Sequence, residues 1–236
     1  LVYKEGADMG LGHSPSIVTS GLLLCLDAGN TKSYPGSGSS WTDLSGNGRT
    51  ATIYNSPTYN STNGGTLDLN SSNQYADIAS FANYNFGSAI TIGFWHYNSS
   101  TNIGKYRGVV CNTYASGTGF DFRYGSEDSG TRLYAIINTT VSSYSLTTTS
   151  NADTWGYYSF TYNGTTLSLY KNGALTGSTS ASGSLSSVND SVDIGRNANS
   201  AEYLNGRLAN VHIYSSALSA AEVLQNFNAL RGRFGL

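Results

Sequence analysis

Charge is what this chain has least of. Asp, Glu, Lys and Arg make up only 11% of its 236 residues, and 12 basic against 14 acidic side chains leave a net charge of −2. Ordinary soluble domains carry roughly a quarter of such residues. No run of Lys or Arg occurs, so the clustered positive charge that holds a phosphate backbone or an anionic membrane surface is absent. Nucleic acid and membrane are therefore not expected partners. Nor does any stretch approach the ~18 apolar residues of a membrane-spanning helix; the longest early run is Leu22 to Leu26. The chain opens on Leu1 without a charged-then-apolar leader, as expected of a processed product or of the ordered part of a longer chain.

Metal-binding and redox residues are equally sparse. His13, His96 and His212 are scattered, and no Cys or His spacing fits zinc. Cys25 lies in the run Leu22-Leu23-Leu24-Cys25-Leu26 and Cys111 ends Val109-Val110-Cys111, so both read first as thiols buried in strands; a disulfide between them stays open, because sequence carries no Cα separation.

What replaces charge is neutral polarity. Ser (36), Thr (24) and Asn (23) supply 83 of the residues, beside 28 Gly and 18 Tyr. Disordered chains share that polarity but lack aromatics, and here aromatics reach 12%. Turn signals of Asn, Gly and Ser recur every ten residues or so between short alternating segments, the spacing of a β-sandwich or barrel. Ile90 to Tyr97, Arg132 to Ile137 and Leu208 to Tyr214 alternate in this way. Tyr157 to Tyr162, Asn163-Gly164, Leu167 to Lys171 and Asn172-Gly173 predict an antiparallel meander with two tight Asn-Gly turns of type I′. Near the end, Ser219-Ala220-Ala221-Glu222 reads as a capping box opening a single helix with Val223, Leu224, Phe227 and Leu230 on one face. One domain over 21–230 is expected, preceded by an arm or linker (1–20) and followed by a small, solvated basic tail (231–236).

Four segments carry a family resemblance. They are Gly21-Leu22-Leu23-Leu24-Cys25-Leu26-Asp27-Ala28-Gly29-Asn30 with Ser33-Tyr34-Pro35-Gly36 and Trp41-Thr42-Asp43-Leu44-Ser45-Gly46-Asn47-Gly48; Asn55-Ser56-Pro57-Thr58-Tyr59 with Gly64 to Leu69; Trp155 through Gly173; and Gly206 through Ser219. In this order they resemble the laminin G-like group of the concanavalin A-like lectin/glucanase superfamily. The resemblance implies an all-β fold, an antiparallel jelly-roll sandwich with one short C-terminal helix. The version with Leu-Asp-Ala-Gly-Asn and Ser-Tyr-Pro-Gly is similar to domains of tailed-phage and marine viral structural proteins, and the same domain also occurs on bacterial surfaces. Ala209-Asn210 stands where the family often has an acidic pair, which puts in doubt any calcium support from that place.

Glycanases of that superfamily need clustered carboxylates. Only Glu5, Glu127, Glu202 and Glu222 are glutamates, no Glu-x-Asp-x-Glu spacing occurs, and the one acidic pair, Glu127-Asp128, sits among turn residues. A non-enzyme is expected. Calcium is a candidate cofactor through Asp43 and Asn47, for which an Asx turn is the competing reading, and through Asp121, where laminin G domains often place a ligand aspartate. Sugar recognition needs aromatic faces and planar hydrogen-bonding groups; Tyr106, Asn112, Tyr114, Asp121 and Arg123 cluster around one loop rim and are the candidate set. Trp95, Trp155 and Tyr170 read as core residues, and Trp41 as either core or site. The expectation is a virion or surface-fibre module that binds host-surface carbohydrate, with virion or fibre proteins as neighbours and a homo-oligomer as a candidate assembly. A purely structural decoration protein anchored through its termini is the alternative, and a glycan hydrolase the third.

Overall fold

The alternation does build two antiparallel sheets. In the computed structural model, which describes residues 15–100, 106–112, 119–125, 132–185, 191–197 and 202–236, the first sheet runs β14 (Ala174–Ser180), β13 (Thr166–Lys171), β12 (Thr154–Tyr162), β7 (Ile90–Asn98), β18 (Asn205–Tyr214), β5 (Thr66–Asn70) and β4 (Thr58–Asn60). The last strand, β18, is long enough to take two partners along one edge: β5 pairs with Asn205 to Leu208, and β1 (Leu22–Asp27) with Asn210 to Tyr214. The second sheet runs β11 (Ser143–Thr149), β10 (Arg132–Asn138), β9 (Gly119–Tyr124), β8 (Arg107–Cys111), β15 (Val192–Ile194), β6 (Tyr75–Ile78), β3 (Ala51–Tyr54) and β2 (Ser40–Trp41). A hairpin of β16 (Arg196–Asn197) and β17 (Glu202–Tyr203) stands apart.

Every second residue of the central strands enters the space between the sheets. Ile92 and Phe94 of β7, Phe120 and Phe122 of β9, and Tyr158 and Phe160 of β12 are all sealed there. Phe122 meets Phe94 edge-on at 4.8 Å and Phe160 at 4.9 Å. Trp41 is fully buried in the same core, so its reading as a site residue is excluded. Cys25 and Cys111 are buried free thiols.

A second apolar cluster lies on the opposite face of the first sheet, and it corrects two expectations. Helix α1 (Ala220–Leu230) opens on the predicted box, the Glu222 amide donating to Ser219 Oγ while the Ser219 amide donates to Glu222 Oε2 at 2.8 Å. It buries Val223 and Phe227 against Trp95, Tyr157 and Tyr214. Residues 231–236 are not a solvated tail: they turn back as a 3-10 turn, Phe234 is 7% exposed, and Arg233 pairs with Asp27 at 2.8 Å. The packing also reaches upstream of Gly21, since the Val18 amide donates to Asn226 and the Val18 carbonyl accepts from the Tyr214 hydroxyl. Trp95 and Tyr170 are buried and Trp155 is partly buried as expected, but all three belong to this outer cluster rather than to the inter-sheet core.

One turn also departs from its expected form. Asn172 and Gly173 take φ of 51° and 77°, as type I′ requires. At the other pair only Gly164 has positive φ, because the Asn163 side chain accepts from the amides of Thr165 and Thr166 and closes an Asx turn instead.

Candidate functional site

The outer face of the second sheet collects most of the candidate side chains. Because Phe120, Phe122 and Tyr124 point into the core, Asp121 and Arg123 of β9 point outward. Arg123 Nε lies 3.4 Å from Asp121, and its guanidinium sits 5.1 Å from the Tyr106 ring centroid. Asn112 is turned elsewhere, its amide donating to the Ser191 carbonyl. Tyr114 and the Glu127-Asp128 pair fall outside the described residues.

Asp121 is no ligand hook. It is 4% exposed, accepts from the Cys111 thiol at 2.9 Å and the Asn197 amide at 3.2 Å, and burial raises its pKa above the usual carboxylate range. The register continues the row: Cys111 pairs with Asp121 on one side and Asp193 on the other, and Asp193 pairs with Asp77. Asp193, 3% exposed, is bound by Arg196 through Nε at 3.0 Å and a terminal nitrogen at 3.1 Å. Burial still outweighs that cation, and Asp77 adds to it, so the Asp193 carboxyl is pushed up to about 6. The β16–β17 hairpin covers this row, and Gly108 lets it do so. A Cβ at 108 would collide with the backbone of Arg196 and Asn197.

Asp121 and Asp193 do not form a glycosidase pair. A glycosidase holds two carboxyls open to a sugar ring between them; Asp121 and Asp193 are both sealed under the hairpin and already engaged.

The calcium candidates fail on their chemistry. Asp43 accepts from the amides of Cys25, Ser45 and Arg49 and from the Ser45 hydroxyl, which bring its pKa below the ordinary value despite burial. Its oxygens face donors, and a cation needs them free. The Asn47 amide nitrogen donates to the Leu22 carbonyl at 2.9 Å, which completes the Asx-turn arrangement rather than a metal cage. Asp121 is occupied as described. Among the described residues no group of three or more His, Cys, Asp or Glu is placed to hold a metal ion.

Sequence reasoning missed an aromatic row on this face. Tyr54 on β3 and Tyr75 on β6 are cross-strand partners whose rings stack at 4.6 Å, 10° from parallel. Tyr203, on the hairpin, tilts against Tyr75 at 6.1 Å. The Arg196 guanidinium lies 3.6 Å from the Tyr75 ring centroid, so one group binds both the buried Asp193 and the aromatic row. Tyr54 is 40% exposed. The available signal was alternation: Ile53 and Ala76 point inward, which turns Tyr54 and Tyr75 out, but only the pairing of β3 with β6 brings them together.

The profile of the concanavalin A-like lectin/glucanases superfamily matches residues 70–224. The chain belongs to that superfamily. No curated protein sequence matches it. Among solved structures, this lectin-like chain is similar to the binding domain of Paraclostridial Mosquitocidal Protein 1, with a TM-score of 0.70 and 19% identity over 89% of this chain and 52% of that one. It is also similar to the receptor binding domain of botulinum neurotoxin C/D mosaic serotype, with a TM-score of 0.70 and 16% identity over 89% and 51%. The binding domain of Botulinum Neurotoxin DC, in complex with SialylT, gives 0.70 and 14% over 90% and 52%. The chain spans about half the length of these proteins. At such identities the likeness establishes the shared sandwich fold.

Proposed function

We propose that this chain is a non-catalytic carbohydrate-binding module, carried on a virion or surface fibre and directed at host-surface glycans. The observation that carries the reading is the row Tyr54, Tyr75 and Tyr203 on an outward sheet face, with Arg196 fixed against Tyr75. Tyr75 is held between the Tyr54 ring and the Arg196 guanidinium, so it is the exposed Tyr54 ring and the tilted Tyr203 ring that the row offers to a pyranose, with its apolar C–H face and rim of hydroxyls. The weakly charged composition supports a neutral ligand. The superfamily and the binding domains of similar fold support recognition rather than chemistry, and the sealing of Asp121 and Asp193 supports the absence of hydrolysis. A glycan array read with calcium and again with chelator tests this. Discrete glycan hits that chelation leaves unchanged are expected; a blank array under both conditions contradicts the proposal.

A further inference from the structure

A cleft of about 460 Å³ opens between the turn at 36–39 and the turn at 55–57. Its size lies within the range of small-molecule sites. Both walls are held in unusual backbone conformations by side chains behind them. On one side Gly36 and Gly38 take φ of 93° and 95°, and the buried Tyr34 donates its hydroxyl to the Gly38 carbonyl at 3.2 Å. On the other side Asn55 and Ser56 take φ of 60° and 49°, a pair of left-handed residues without a glycine. Gln74, 9% exposed, holds them by donating to both carbonyls at 3.2 and 3.0 Å, while the Asn55 amide donates to the Asn73 carbonyl at 2.7 Å. Left-handed non-glycine residues persist where surrounding structure determines them; here that structure is a buried amide which fixes a cleft wall in advance of any ligand.

The lining is neutral throughout. Ser37, Ser39 and Ser56 bring hydroxyls, Ile53 and Pro57 an apolar surface, and no ionised side chain lines the cleft. A charged ligand would be desolvated there with no counter-charge, whereas a polyhydroxylated neutral one finds both hydrogen-bonding groups and an apolar wall. Ile53 of the lining points inward and Tyr54 points out from the same strand, so the cleft and the tyrosine row lie on different sides of β3. We infer that the cleft receives one residue of a neutral oligosaccharide, as a subsite separate from the tyrosine row. This inference rests on the carbohydrate-binding reading above.

The test is calorimetric titration with maltohexaose, cellohexaose, mannohexaose and chitohexaose, and with 3′-sialyllactose as the anionic comparator. The proteins are the wild type, Ser37→Trp to fill the cleft, Asn55→Gly, which keeps the left-handed turn but removes the side chain, and Tyr75→Ala as the control on the tyrosine row. Unfolding curves of the variants, compared with the wild type, separate a filled cleft from a damaged fold. The expected result is binding of at least one neutral hexaose by the wild type, a loss of tenfold or more in Ser37→Trp, a smaller loss in Asn55→Gly, and no preference for sialyllactose. Unchanged hexaose affinity in a folded Ser37→Trp, with loss in Tyr75→Ala, overturns the cleft and leaves the tyrosine row standing. Preference for sialyllactose overturns the neutral assignment, and no binding by the wild type overturns the cleft together with the carbohydrate reading.

Discussion

Phe234 stacks on Trp95 with ring centroids 4.1 Å apart and planes 16° from parallel. A residue two places before Leu236 thus closes the outer face of the first sheet, and Trp155 meets the same ring at 4.6 Å. Phe234→Ala is expected to lower unfolding free energy by about 3–5 kcal/mol, the range of large-to-small changes at buried aromatic sites. Chemical denaturation measures it; a variant as stable as the wild type would show that the terminal segment does not belong to the folded unit.

Asp43 organises its loop through hydrogen bonds that a cation would have to displace. Asp43→Ala leaves three amide donors, those of Cys25, Ser45 and Arg49, without their acceptor, and a loss of about 2–4 kcal/mol is expected. Calcium and chelator are expected to leave the melting temperature of the wild type unchanged. A calcium-dependent rise would reverse the reading of this loop.

Acid should weaken the fold. Burial drives both His96 and His212 down to about 4, with Arg233 adding to the effect at His212. A histidine held below its unfolded value is neutral in the folded protein. Its contribution is therefore complete above pH 6.5 and is lost as pH falls toward 4, at most about 3 kcal/mol for each ring. Asp193 acts in the opposite direction: raised to about 6, it favours the folded state more at low pH and loses that advantage between about pH 4 and 6, again at most about 3 kcal/mol. Asp121, raised by burial as well, acts in the same direction as Asp193; the two rings outweigh these carboxyls, so melting temperature is expected to fall from pH 7 to pH 4. His212→Gln should flatten the profile, and Asp193→Asn should steepen it. A flat wild-type profile would contradict the burial of these rings.

The sequence made the sandwich legible because alternation and turn chemistry are local. Ile90 to Tyr97 and the Ser219 capping box needed no distant partner to be recognised. The site was less legible because it depends on register. Asp121 and Arg123 were found from a loop rim, but only the pairing of Cys111 with Asp193 showed that Asp121 belongs to a buried acidic row. Tyr54 and Tyr75 are unremarkable outward residues until β3 and β6 pair. The terminal segment was misread for a related reason: Arg231 and Arg233 dominate a short sequence, while the partners of Phe234 and Arg233, Trp95 and Asp27, lie far upstream.

The most direct test of the central claim is the affinity of the Tyr54→Ala/Tyr75→Ala double variant, set against the wild type, for the strongest glycan found on the array. The exposed Tyr54 ring is expected to contribute about 1.5 kcal/mol in stacking and buried area, and Tyr75 holds that ring in place, so loss of both should cost about tenfold. That loss, in a variant whose unfolding curve still shows a cooperative fold, is the result the account predicts. Equal affinity in the two proteins would place glycan recognition elsewhere on the domain and contradict it.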